Sequence, residues 1–187
     1  MRNNLKIHLT YLFLLTLSCQ AQTTITLDQA ATYLDSPNGI PIGTKYVKDV
    51  DNRLNTYEGT WKGTFESKQI ELKLEKKIDF GNYSVKWDQL IGKIRIKDGQ
   101  GNILYDSFQN PEDNADPYGY NFQHTVYEMR FRGKSGCVDG TIYLHTPTLT
   151  LSGGSTMKIF FYPNGDAIDT PTCPKLLPLT WADLTKQ

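Results

Sequence analysis

Histidine and cysteine are scarce in this chain, with three of each in 187 residues. The histidines are His8, His124 and His145, and neither a cysteine nor a second histidine stands at zinc-ligand spacing from any of them. A Gly-x-Ser-x-Gly elbow is missing, and nothing in the sequence sets a histidine beside Ser135, so the common nucleophile patterns are absent. A surplus of basic charge is missing as well. Lys+Arg and Asp+Glu number 20 each; the first 21 residues hold Arg2 and Lys6 and no acid, which leaves 18 bases against 20 acids and a net of −2. Binding nucleic acid or an anionic membrane through charge needs a basic face, so neither is expected as a partner. These absences point to a non-enzyme with no catalytic residue, no metal site and no cofactor.

A long apolar run is also missing. Ile7 to Leu17 is an eleven-residue, mostly apolar stretch, whereas a membrane-spanning helix needs about 20 residues. With Arg2 and Lys6 ahead of it and small residues behind, residues 1–21 are expected to be a secretory signal peptide. Two cuts are open. Cleavage after Ala21 is one. Cleavage after Ser18 is the other; it would make residues 1–18 a lipoprotein signal and leave Cys19 for lipidation, the one route to a membrane. Thr16 departs from the leucine usual in such sites. Export leaves Cys137 and Cys173 in an oxidising compartment, the periplasm, the outer membrane or the extracellular space, where an even pair forms a disulfide.

What is present is alternation. Residues 22–56 lack a sustained period; "DSPNGIPIG" is a loop, and "TLDQAATYL" and "KDVDNRLNTY" offer at most short helical turns. From Gly59 on, apolar and polar residues alternate. Ile70, Leu72 and Leu74 are interleaved with Glu71, Lys73 and Glu75, and Leu90, Ile94 and Ile96 with Lys93, Arg95 and Lys97. Such strands have one dry face and one wet face, which is the antiparallel pattern. Turn pairs such as Asp98-Gly99, Gly153-Gly154 and Asn164-Gly165 separate them. Residues 57–187 therefore read as a single all-β domain: an antiparallel meander closed into an up-and-down barrel, or alternatively a β-sandwich.

The acidic loop "NPEDNADP" carries oxygen ligands but no EF-hand spacing, so a solvated loop is expected there. "DGQGN" reads as a hairpin turn. "CVDGTIYLHTPTLTLSGGSTMKIFFYPNGD" reads as a hairpin with its tip at residues 152–154, which sets Cys137 opposite roughly residue 169 and brings Cys173 within disulfide reach.

Gly59 and Trp61, in "YEGTWKG", resemble the Gly-x-Trp opening strand of lipocalin and fatty-acid-binding barrels. That resemblance implies a tryptophan plugging the closed end of a ligand-holding barrel, although Trp61 also reads as plain core. The arginine that covers this tryptophan in lipocalins has no counterpart: Arg130 and Arg132 lie too early, and Lys186 is a poor substitute. A longer run of segments, "YVKDVDNRLNTYEGTWKGTF", "SKQIELKLEKK", "CVDGTIYL" and "YPNGDAIDTPTCP", resembles a family of uncharacterised exported proteins of Gram-negative bacteria, a domain of unknown function. It implies a secreted β-rich domain and transfers no activity.

Two functions stay open. In one, Trp61, Phe65, Leu72, Leu90 and Ile94 line a barrel that holds a small apolar or amphipathic ligand. In the other, the interior is packed solid and the outer face or loops meet partners. A hydrolase with an unrecognised site is a third, weaker alternative.

Overall fold

The computed structural model describes residues 23–81, 84–134, 137, 139–151, 153–165 and 173–187. Residues 1–21, expected to be a signal peptide and containing Cys19, lie outside them, as do Ser135 and Ser152. In chain order the elements are β1 (Thr23–Thr26), α1 (Leu27–Ala31), β2 (Thr44–Lys48), a 3-10 turn (Arg53–Thr56), β3 (Gly59–Phe65), β4 (Lys68–Phe80) and β5 (Lys86–Lys97). After these come β6 (Ile103–Asp106), a 3-10 turn (Glu112–Asn114), β7 (Tyr118–Gln123), β8 (Val126–Phe131), β9 (Gly140–His145), β10 (Thr148–Leu149), β11 (Ser155–Pro163) and β12 (Ala182–Lys186).

Eight strands close a ring in chain order: β3, β4, β5, β7, β8, β9, β11 and β12, all paired antiparallel. This is the up-and-down barrel, and the sandwich alternative is excluded. Alternation places the side chains as expected: Ile70, Leu72 and Leu74 are buried while Glu71, Lys73 and Glu75 face out. Closure occurs at two seams. Ile91 pairs with Tyr118, and the Gly92 N–H donates to the Pro117 carbonyl at 2.7 Å. Lys186 pairs with Trp61, and the Gln187 N–H donates to the Thr60 carbonyl at 2.9 Å. One edge of β5 is shared along its length by β2, β7 and β6.

The segment 22–56 departs from expectation. Instead of being irregular, it carries β1 and β2, which pair parallel with each other and, through Tyr46 and Val47, with β5. Two buried carboxylates hold it there. Asp88 accepts from the Tyr46 hydroxyl, from the Asp49 N–H at 2.9 Å and from the Asp79 N–H at 3.1 Å. Asp49 in turn accepts from the Arg53 and Leu54 N–H groups at 2.9 and 3.0 Å, and pairs with the Lys76 ammonium at 2.8 Å. Burial first, and then the Asp88 carboxylate, push the Tyr46 hydroxyl well above the usual phenol range. Buried acids that cap backbone donors leave no periodic trace in a sequence, which is why the pattern looked irregular.

Cys137 and Cys173 are joined, with their Cα atoms 5.3 Å apart. The hairpin register beneath them is shifted: Gly140 faces Pro163 rather than residue 166. The shift begins at the tip, where Leu149 pairs with Ser155 and the Thr150 N–H donates to the Gly154 carbonyl at 2.8 Å.

Candidate functional site

The expected ligand-lining residues lie in a filled interior. Trp61, Leu72, Leu90 and Ile94 are fully buried and belong to one core cluster with Tyr57, Phe122, Tyr127 and Phe131. Aromatic rings occupy much of this space. Tyr127 sits 4.9 Å from Phe122 and 5.9 Å from Tyr57, centre to centre, and its hydroxyl accepts from the Leu90 N–H at 3.1 Å. Burial drives that hydroxyl far above the ordinary phenol range, so it stays neutral. Phe65 departs from its expected place. It is half-buried at the rim of the core, with the Lys68 ammonium 5.5 Å from its ring centre.

The expectation about the tryptophan cover is also corrected. The Lys186 ammonium, on the last strand, stands 5.4 Å from the Trp61 ring centre, within cation–π range. Gly59 makes this possible. It adopts φ +118°, and a β-carbon there would stand 2.9 Å from the Lys186 Cε. The Trp61 indole N–H donates to the Tyr57 carbonyl at 2.7 Å, so its polar handle is satisfied inside the core.

The acidic loop is less solvated than expected. Glu112 pairs with Lys77 at 2.6 Å, and Asp116 is buried, accepting from the Tyr105 hydroxyl and from the Arg132 and Gly133 N–H groups at 2.9 and 3.0 Å. Asp98 closes the "DGQGN" hairpin by accepting from the Gln100 and Asn102 N–H groups. The Asn102 side-chain amide beside it is the main reason its carboxyl is held below the usual range. Among the described residues, no group of three His, Cys, Asp or Glu is placed to hold a metal ion.

The features that stand out lie on the outside. Tyr143 on β9 pairs across the sheet with Phe160 on β11, their rings stacked at 5.8 Å. Phe160 lies 5.4 Å from Trp181, which precedes β12, and His145 packs edge-on to the same indole at 5.9 Å. Trp181 is 46% exposed. On the other side, Tyr143 pairs with Glu128 of β8, and a bulge sets the exposed Tyr120 of β7 beside Glu128. The result is one band, Tyr120–Glu128–Tyr143–Phe160–Trp181, running across the strands. All its strand residues occupy wet positions of alternating strands. Adjacency across strands cannot be read from one strand's period, so no sequence signal joins Tyr143 and His145 to Phe160 and Trp181.

Beyond Trp181 the band runs into a cleft of about 580 Å³ lined by Thr64, Phe65, Glu66, Thr180, Trp181 and Asp183. A second cleft, about 330 Å³, shares Lys62, Gly63 and Thr64 and extends to Glu71 and Arg95. Both volumes fall in the range of small-molecule sites. Neither cleft touches Trp61, Leu72, Leu90 or Ile94.

Glu128 is the one acid within the band. It is half-buried, and among the described residues neither a hydrogen bond nor an ion pair reaches it; burial raises its carboxyl above the usual range. A carboxyl whose folded pKa is raised costs stability once it ionises and costs nothing when protonated in both states. Glu128→Gln is therefore expected to raise the melting temperature near neutral pH, with the gain vanishing as pH falls below the ordinary carboxylate range. A difference that is flat across pH would contradict this assignment.

No curated protein and no solved structure matches the chain. A family model does match, over residues 1–150 of the 187, and the chain accordingly belongs to the family of unknown function DUF6705.

Proposed function

We propose that this chain is an exported, non-catalytic binding module of the cell envelope that works through its outer face. The observation that carries the reading is where the aromatic residues stand. The barrel interior is filled by Trp61, Tyr57, Tyr127, Phe122 and Phe131, while a second aromatic group stands outside on strand positions that alternation reserves for polar residues. Solvent-facing aromatic rings are costly to leave uncovered, and they mark recognition surfaces. The interior role, holding a small apolar ligand against Trp61, Leu72, Leu90 and Ile94, is displaced because those side chains pack against one another. Export rests on the signal-like residues 1–21 and is consistent with the Cys137–Cys173 bridge. The periplasm or the outer membrane is the expected location, with Cys19 the anchor if it is retained.

Native mass spectrometry of protein from the host's envelope fraction tests both halves. The expected result is a chain lacking residues 1–18 or 1–21, with both mature cysteines oxidised and no apolar small molecule inside. An intact Met1 form would overturn export. A stoichiometric apolar ligand would overturn the outer-face reading.

A further inference from the structure

We infer that the outer face binds an uncharged, hydroxyl-rich carbohydrate chain laid across the strands from Tyr120 to the cleft beside Trp181. This rests on the outer-face reading above and adds the ligand's chemical class. Three observations point to it.

The first is the shape of the band. It crosses five neighbouring strands, β7, β8, β9, β11 and the start of β12, which is roughly 19 Å at about 4.8 Å per strand step. Three of its rings, Tyr143, Phe160 and Trp181, follow one another at 5.8 and 5.4 Å, and Tyr120 stands beyond Glu128 at the far end. A sugar ring has an apolar C–H face that packs on an aromatic ring, and its chain presents such faces repeatedly. A row of rings suits a linear oligosaccharide better than a single compact ligand.

The second is the cleft where the row ends. Its wall carries the hydroxyls of Thr64, Thr180 and Thr185, none of which has an intramolecular hydrogen bond among the described residues. With the unpartnered Glu128 carboxylate in the band, these are free donors and acceptors flanking an apolar platform. Sugar hydroxyls ringing a C–H face require that arrangement, because each hydroxyl stripped of water needs a new partner.

The third is the cancellation of charge. Lys158 pairs with Asp183 at 2.8 Å, Lys175 with Glu66 at 2.6 Å and Lys62 with Glu71 at 3.4 Å. Apart from the lone Glu128 carboxylate, which repels a polyanion, a charged polymer finds little net field here, whereas a neutral one loses nothing. An extended peptide adding to a sheet edge is disfavoured for a separate reason: the band lies on the face of a closed barrel, where strand edges are already paired.

The test is titration of the full chain with cellohexaose, maltohexaose and chitohexaose at up to millimolar concentration, followed by the three tryptophan indole resonances. The expected result is saturable binding of at least one hexaose, with the Trp181 signal shifting and the buried Trp61 signal unmoved. Trp181→Ala is expected to weaken that binding at least about tenfold, with the melting temperature little changed because the indole is exposed. Tyr120→Ala, at the far end of the band, is a second exposed variant and weakens binding to the hexaose but not to a monosaccharide. Absence of binding by every hexaose to folded protein overturns the carbohydrate assignment, and so does binding indifferent to both variants. A proline-rich peptide that shifts Trp181 where no hexaose does overturns the ligand class and leaves the outer-face reading standing. A fatty acid that shifts Trp61 overturns both.

Discussion

Trp61→Ala is expected to lower the stability of the barrel by about 3–5 kcal/mol, through lost transfer energy and the cavity left behind. Several features make the site unforgiving. The indole is fully buried and lies at the β3–β12 seam, opposite Lys186. Its N–H satisfies the Tyr57 carbonyl, so truncation also orphans a buried acceptor. The Lys186 side chain loses the ring it packs on, and with it part of the contact between the last strand and the first strand of the barrel. Chemical denaturation followed by far-UV circular dichroism measures the loss. A variant whose midpoint matches wild type would show that the seam does not depend on the indole. Trp61→Phe serves as a graded control; it keeps an aromatic ring in the core while removing the donor and part of the volume, so its loss is expected to be smaller.

Removing the Cys137–Cys173 bridge is the other large effect. The two cysteines are 36 residues apart, and cross-linking a loop of that size restricts the unfolded chain by about 3–4 kcal/mol in the chain-entropy account. The Cys137→Ser/Cys173→Ser double variant is expected to lose about that much. The loss comes mainly through the unfolded state, because the returning segment has anchors of its own. Leu177 is buried, and the Pro178 carbonyl accepts from the Phe161 N–H at 2.8 Å. These contacts hold the segment after Cys173 to the sheet independently of the bridge. The reduced protein should therefore keep native near-UV circular dichroism while its unfolding midpoint falls. Equal midpoints for the oxidised and double-variant proteins would sink the prediction, and recovery of both cysteines alkylated before reduction would rule out the bridge itself.

The barrel strands were legible because each announces itself by period. Ile70, Leu72 and Leu74, or Leu90, Ile94 and Ile96, repeat every second residue, and that repeat says which face is dry. The Cys137–Cys173 pairing was legible for a related reason: a hairpin with a recognisable tip places its ends together even when the register is off by a few residues. The candidate site was hardly legible. Tyr143, Phe160, Trp181 and Glu128 come from different segments, and their meeting depends on registers that no single strand encodes. The cover over Trp61 was missed for want of an arginine. A lysine serves here because Gly59 leaves room for its stem.

The sequence by itself determined an all-β chain from Tyr57 on, the inside and outside of its strands, the burial of Trp61 and the partnership of the two cysteines. These follow from side-chain alternation and from chain connectivity, which are local. The tertiary structure alone decided that β2, β7 and β6 share one edge of β5, that β1 and β2 join in parallel through Asp49 and Asp88, and that aromatic side chains from separate strands line up outside a packed barrel. Those outcomes depend on which strand edges meet and in what register, and alternation, which distinguishes only wet from dry, is silent about both.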